Sequence, residues 1–335
     1  MMKILITGGA GYIGSTVVSA LADAGYSPVI IDSLIQGQPE FVSLHPLYVG
    51  DMADPELLER LFSDHPDITV LMHFAALIDV EESMRLRSLY YTENLFKAAT
   101  LTRWVLERGV KQIIFSSTAA VYEGGTGYSG LAEEAPVHPL SPYARSKLMF
   151  ESVLCDMCIE AGASAVALRY FNPIGADPMM RSGPYKTDPS HILGKLTALA
   201  AKAGGEFVIN GDDYPTRDGT PVRDYIHVWD LAQAHLAALS YVVRPTQSAG
   251  DLIIINVGSG VGVTVRECVD AFLDVTGLPI NVRIGGRRAG DTAGAFADTS
   301  RAQTLLNWTP KLTLRQGIQD ALTWQSLRTQ QASSI

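Results

Sequence analysis

Lys3-Ile4-Leu5-Ile6-Thr7-Gly8-Gly9-Ala10-Gly11-Tyr12-Ile13-Gly14 decides the fold. A short apolar strand, 3–7, runs into glycines spaced G-x-x-G-x-x-G, and a helical pattern over 13–24 follows and stops at Gly25. Glycine lets a backbone turn tightly and approach a pyrophosphate, which sits at the N-terminus of the next helix. The spacing departs from the usual G-x-G-x-x-G. What gives the glycines meaning is their place directly between a strand and a helix. Gly8, Gly11, Tyr12, Ile13 and Gly14 are therefore expected to cradle a dinucleotide.

Working outward, the first half of the chain alternates strands and helices. Strands are expected at 28–31, 47–49, 69–73, 112–116 and 164–168. Helices are expected at 55–62, over one long stretch 83–108, and from Ser141-Pro142 onward, where an N-cap precedes a proline at the first helical position. This alternation implies a Rossmann-type, doubly wound parallel sheet with right-handed crossovers. After Phe171-Asn172-Pro173, Gly, Pro and Asp become frequent and the strands short, with 212–220 reading as turns. The expected organisation is an α/β dinucleotide-binding domain over 1–172, joined by a returning segment near 226–256. A smaller C-terminal α/β substrate domain spans mainly 173–330.

Bulk properties narrow the function. The chain has 335 residues, 47% of them hydrophobic, and a net charge of −9. That acidity argues against nucleic acid or an anionic membrane as partner. No apolar run approaches the ~18 residues a membrane span needs, and no signal peptide is evident, so a cytoplasmic protein is expected. Cys155 and Cys158 form a C-x-x-C in a helical run, but no second pair or nearby histidine completes a zinc site, so packing cysteines and no metal are expected.

The chemistry clusters at strand ends and on one helix. Asp32 ends the second strand, where a carboxylate accepts the ribose hydroxyls and repels a 2′-phosphate, which favours NAD over NADP. Asp51 and Met52 follow the third strand, where the adenine can be held. Phe74, Ala75 and Ala76 follow the fourth; small residues there suit either backbone approach to the cofactor or close packing. Ser116-Ser117-Thr118 ends the fifth strand at the ligand crevice. Tyr143-Ala144-Arg145-Ser146-Lys147 places Lys147 one helical turn from Tyr143. A free tyrosine, with a pKa of about 10, is a poor base. A neighbouring positive charge favours its phenolate, and such a tyrosine can take a proton from a substrate hydroxyl as a hydride leaves the same carbon. Thr118 can relay that proton or simply cap a turn.

The motifs at 7–14, 115–122, 141–147, 169–173 and 218–228 together resemble the UDP-glucose 4-epimerases of the extended short-chain dehydrogenase/reductase superfamily, over residues 3 to about 325. The resemblance implies transient oxidation of a UDP-hexose at C4, rotation of the 4-keto sugar and return of the hydride to its other face. Tyr143, Lys147 and Thr118 would be catalytic. Tyr143, Lys147, Ser116, Tyr170 and Asn94 would lie on the NAD side. Asn172, His191, Arg223, Arg288, Asp291 and Ala295 would join Thr118 and Tyr143 on the substrate, with the two arginines on the diphosphate. A homodimer through the long helix and the Tyr143 helix is also implied.

Three departures stand out. Lys97 and Ala98 follow Asn94-Leu95-Phe96 where relatives carry a glycine and a threonine. Ile78 replaces a lysine directed at the cofactor diphosphate. Ala295 leaves volume at a position linked to exclusion of N-acetylated sugars, so UDP-GlcNAc and UDP-GalNAc are expected as further substrates. A nucleotide-sugar dehydratase needs an Asp-Glu pair where Ala119-Ala120 stand. A UDP-uronate or UDP-pentose epimerase shares the same cluster and stays open as an alternative. A non-catalytic NAD sensor would not be expected to keep both Tyr143 and Lys147.

Overall fold

The structure, a computed structural model, describes residues 1–122, 129–186, 189, 191–202, 204–244, 250–287 and 292–332. The first half runs β1 (Lys3–Thr7), α1 (Tyr12–Asp23), β2 (Ser27–Asp32), β3 (Leu47–Val49), α2 (Pro55–Asp64), β4 (Ile68–His73), α3 (Val80–Arg85), α4 (Arg87–Tyr91), α5 (Lys97–Glu107), β5 (Gln112–Thr118), β6 (Gly130–Leu131), α6 (Pro142–Ala161) and β7 (Ser164–Tyr170). The second half runs β8 (Asn172–Ile174), α7 (Ile192–Ala201), β9 (Gly205–Asn210), β10 (Val222–His227), α8 (Val228–Val242), β11 (Leu252–Val257), β12 (Gly262–Thr264), α9 (Val265–Thr276), β13 (Ile280–Gly285), β14 (Phe296–Ala297), α10 (Ser300–Leu306) and α11 (Leu314–Ala332).

Seven parallel strands form the central sheet in the order β11-β7-β5-β4-β1-β2-β3. Ile4, Leu5 and Ile6 are all fully buried, as expected of a strand covered on both faces. Val17 and Leu21 of α1 and Leu231 and Leu239 of α8 cover one face. Leu58 of α2, Leu101 of α5 and Phe150 of α6 cover the other. The strand order reverses between β1 and β4, and the crevice beyond the carboxyl ends at such a point is where sheets of this kind bind ligands. β11 pairs with β7 and α8 packs on α1, so the segment after β10 returns to this layer. A separate core of Leu196, Ile209, Phe272 and Ile318 joins α7, β9, α9 and α11. Beside it lie the small sheets β12-β10-β8 and β13-β9.

The long helix expected over 83–108 is divided. Leu86 leaves helical geometry (φ −107°, ψ 49°) and ends α3. Residues Thr92–Phe96 form a π-turn between α4 and α5. Asn94 occupies that turn, buried, with Nδ2 donating to the Leu77 carbonyl (2.9 Å) and Oδ1 accepting from the Leu77 N–H (2.8 Å). A wider turn lets an internal side chain meet a neighbouring loop, and π-turns often sit beside functional sites. α6 starts as expected: Ser141 Oγ accepts from the Ala144 N–H at 3.2 Å, with Pro142 next in line.

Candidate active site

A cleft of about 1300 Å³ opens at the carboxyl ends of the central strands and reaches the C-terminal layers. Single drug-sized ligands occupy roughly 300–1,000 Å³, so this space suits two large molecules lying end to end.

Its first end is built on the β1–α1 turn. Gly8 has φ +69°, and a Cβ there would come within 2.6 Å of the Ala75 nitrogen. A Cβ on Gly14 would fall 2.2 Å from the Gly8 carbonyl oxygen. These two glycines are required by packing of the chain on itself. Gly11 differs: its Cβ would meet only the Gly8 oxygen at 3.3 Å and the Tyr185 hydroxyl at 3.9 Å, and it would project into the cleft. Gly11 is also the N-cap of α1 and offers no side chain to the first-turn N–H groups. Those donors and the helix dipole are open to an anion. The bare cradle at Gly11 is therefore what a pyrophosphate needs, and the residues fit a dinucleotide.

Asp32 lies beside this cradle. Its carboxylate accepts from the Ala10 and Leu34 N–H groups, both at 2.9 Å, which fixes it at the cleft wall. Asp51 and Met52 line the wall further along. Burial raises the Asp51 pKa, but Lys97 at 2.6 Å and the Ala53 N–H together offset this and leave it lowered. Lys97 also bonds Glu93, at 2.6 Å. Phe74, Ala75, Ala76, Ile13 and Ile78 complete this end. Tyr12 lines the cleft and donates its hydroxyl to the Gly175 carbonyl at 2.6 Å.

The middle of the cleft brings together Ser116, Thr118, Tyr143, Lys147 and Tyr170. Thr118 accepts from the Ala120 N–H at 3.1 Å, capping the next turn, and its hydroxyl is also bonded to the Tyr143 phenol. Since the Thr118 oxygen already accepts, its proton is free to be donated to the phenol oxygen. Capping and contact with Tyr143 are thus compatible. Burial pushes the Tyr143 pKa up, and the Thr118 bond pulls it back. Lys147, 2% exposed, donates from Nζ to the Ser116 carbonyl at 2.8 Å and lies 4.8 Å above the Phe115 ring. Residues i and i+4 share a helix face, yet the strand-end carbonyl competes for the ammonium. The Lys147 ammonium is thus directed to the Ser116 carbonyl, while burial and Thr118 act on the Tyr143 phenol. Tyr170 is bonded to buried His235 of α8 and to Ser116.

The far end carries Asn172, His191 and Arg223. Asn172 donates to the Asp224 carbonyl at 2.9 Å. His191 caps α7, its Nδ1 accepting from the Gly194 N–H at 3.1 Å, and burial lowers its pKa. Asn94 stands behind the wall and holds Leu77, which does line the cleft. Ala295 is partly buried and is not part of the wall. Arg288 and Asp291 lie outside the described residues. Sequence reading missed Tyr185 and Arg328, which share the wall. Both belong to segments with no local signature. Cys155 and Cys158 are free thiols, the second in the core. No described helix is long and apolar enough to cross a membrane.

The family model described as "NAD dependent epimerase/dehydratase family" matches residues 4–258. A UDP-glucose 4-epimerase of Halalkalibacterium halodurans is 40% identical over 325 residues, covering 96% of this chain and 95% of the relative. One from Rhizobium meliloti is 38% identical, covering 98% of each. Among solved structures, a UDP-glucose 4-epimerase from Stenotrophomonas maltophila with bound NAD and formylated UDP-arabinopyranose superposes with a TM-score of 0.93 at 35% identity, covering 98% of this chain and 99% of that one. The enzyme from Bifidobacterium longum in complex with NAD+ and UDP gives 0.89 at 34%, with coverage of 98% and 99%.

Proposed function

The chain belongs to the NAD dependent epimerase/dehydratase family, and from that premise we propose that it interconverts UDP-galactose and UDP-glucose by 4-epimerisation. It is an NAD-dependent isomerase. The observation that carries the reading is the Thr118–Tyr143–Lys147 cluster in the middle of a cleft with a dinucleotide cradle at one end and room beyond for a nucleotide sugar.

Gly11, the first turn of α1 and Asp32 hold the cofactor pyrophosphate and ribose, with Asp51 and Met52 at the adenine. Bound NAD supplies the hydride acceptor for C4 of the sugar and the donor for its return. Tyr143 removes the 4-hydroxyl proton through its phenol oxygen and returns it to the C4 oxygen after the sugar has turned over. Thr118 donates to that oxygen and steadies it as a phenolate. Lys147 contributes a buried positive charge next to Ser116. Asn172, His191 and Arg223 hold the UDP portion, with Arg288 and Asp291 assigned there on family resemblance. Placing the grip on the nucleotide leaves the sugar free to turn over while the intermediate stays bound.

In this proposal residues 1–172 with 226–256 form the nucleotide-cofactor domain, and the rest of 173–330 mainly holds the UDP-sugar. The active species is a homodimer. Exposed apolar side chains on adjacent helices, Met84, Leu86, Leu89, Phe96 and Met149, favour a second copy as the cover. A monomer in sedimentation at micromolar concentration would overturn this. The free cysteines suit a reducing, cytoplasmic compartment.

The test is product analysis on UDP-galactose, with and without added NAD+, with UDP-GlcNAc run in parallel. UDP-glucose formed without addition shows epimerisation with retained cofactor; UDP-glucose only on addition shows epimerisation with weaker retention. No UDP-glucose under either condition sinks the hexose assignment, and turnover of UDP-GlcNAc alone would move it to N-acetylhexosamines.

A further inference from the structure

A buried polar cluster lies directly behind the Tyr143–Lys147 turn. Glu151 stands one turn beyond Lys147 on α6 and is 3% exposed. Arg169 of β7, equally buried, grips its carboxylate with two bonds, Nη2 to Oε2 at 2.6 Å and Nε to Oε1 at 3.0 Å. The Ser117 hydroxyl of β5 donates to the same carboxylate. Arg169 lies over the Tyr122 ring at 4.9 Å. A buried ion pair is weak evidence of stabilisation, because apolar residues of similar volume often serve as well. Here, however, the pair and the serine tie one helix to two strands at the level of the chemistry.

The tie falls at a specific place. Ser117 lies between Ser116, whose carbonyl takes the Lys147 ammonium, and Thr118, whose hydroxyl meets Tyr143. The groups facing the ammonium are Glu151 from its own helix, the Ser116 carbonyl and Phe115 ring from β5, and His73 from β4. Arg169 of β7 stands behind Glu151. Glu151 is the acidic side chain among them.

Resting on the epimerase reading above, we propose that Glu151 is a positioning residue for the reaction: held by Arg169 and Ser117, it fixes the strand end that seats Lys147 and Thr118 and supplies the negative charge that keeps the Lys147 ammonium protonated. The electrostatics agree. Burial lowers the Lys147 pKa and the Glu151 carboxylate raises it, leaving it at about 7, so losing the carboxylate lets the proton leave sooner.

Glu151→Gln preserves volume and can still accept from Arg169, but it removes the charge. In the UDP-galactose assay the alkaline limb of its kcat profile should move to lower pH by about one unit, which is roughly a tenfold loss of kcat on that limb, with KM nearly unchanged. Glu151→Asp should return the limb toward the wild-type position. Ser117→Ala leaves all charges and should lower kcat a few-fold without moving the limb. This variant decides the strand-seating role even if Glu151→Gln does not fold, since unchanged kcat overturns it. A folded Glu151→Gln whose limb overlays the wild type overturns the charge role. Lysine 13C NMR of the full chain gives a readout independent of turnover: the Lys147 signal should titrate at lower pH in Glu151→Gln, and an identical titration overturns the inference. Wild-type protein inactive in the same assay would instead overturn the epimerase reading.

Discussion

Burial works against Tyr143 as a base, because it pushes the phenol pKa up. What favours the phenolate within the chain is the Thr118 hydroxyl, which has its proton to give because its oxygen already accepts from Ala120. Two outcomes follow for single residues. Tyr143→Phe should lower kcat by about 10²–10⁴, the range for losing a general acid–base, while UDP affinity measured by calorimetry stays within a few-fold. Retained turnover would remove Tyr143 from the chemistry. Thr118→Val should move the acidic limb of the kcat profile upward, since the phenol then ionises at higher pH; an unmoved limb would leave Thr118 as a turn cap alone. Tyr143, Lys147, Thr118 and Asp32 were legible in the sequence because each signal is local: a one-turn spacing, or a carboxylate or hydroxyl at a strand end. Glu151 and Arg169 were not, because they lie eighteen positions apart on consecutive elements and only the fold brings them into contact. The position of the Lys147 ammonium was likewise beyond reach, since helical spacing puts two side chains on one face without saying which acceptor the longer one takes.

At the scale of the element, the β1–α1 turn contains glycines with different duties, and substitution should separate them. A Cβ on Gly14 would lie 2.2 Å from the Gly8 carbonyl oxygen, a backbone atom that cannot step aside. Gly14→Ala should therefore destabilise the protein by about 1–3 kcal/mol or more, as overpacking does, read as a lower urea midpoint. Gly11 has φ −77° and ψ 174°, open to any residue, and its Cβ would point into the cleft. Gly11→Ala, whose Cβ would lie 3.3 Å from the Gly8 oxygen, should lower the urea midpoint far less than Gly14→Ala and lose NAD+ affinity in a fluorescence titration. Equal effects of the two substitutions on folding would contradict this division. The strands of the central sheet and the start of α6 could be read from apolar runs, Ser141 and Pro142. The break at Leu86 and the π-turn at Thr92–Phe96 could not. No glycine or proline marks them, and the helical pattern continues through both. What opens the turn is Asn94 reaching the Leu77 backbone, a contact with a loop seventeen residues earlier.

Across the whole molecule, the doubly wound order was legible because parallel strands joined by helices leave few ways to cross over. The small sheets of the second half were not, since β12-β10-β8 and β13-β9 pair short strands from distant parts of the chain. One global property follows from where the fold places its histidines. Burial lowers His73 to about 3 and His235 to about 4, and it also lowers His45, His65, His191 and His227 from their ordinary value of 6.5. In the unfolded chain all of these take up a proton near pH 6.5. Between that pH and the folded values the unfolded state holds more protons, so stability rises with pH across the window. The contribution is complete above pH 6.5 and is lost as pH falls toward about 4 for His235 and about 3 for His73. His73 and His235 each add a slope approaching about 1.4 kcal/mol per pH unit. Urea unfolding at pH 7 and pH 5 should therefore give a markedly lower free energy at pH 5, with net proton uptake on unfolding of at least about two, one from each of these core histidines. A stability unchanged between those two pH values would mean that His73 and His235 carry protons inside the folded core.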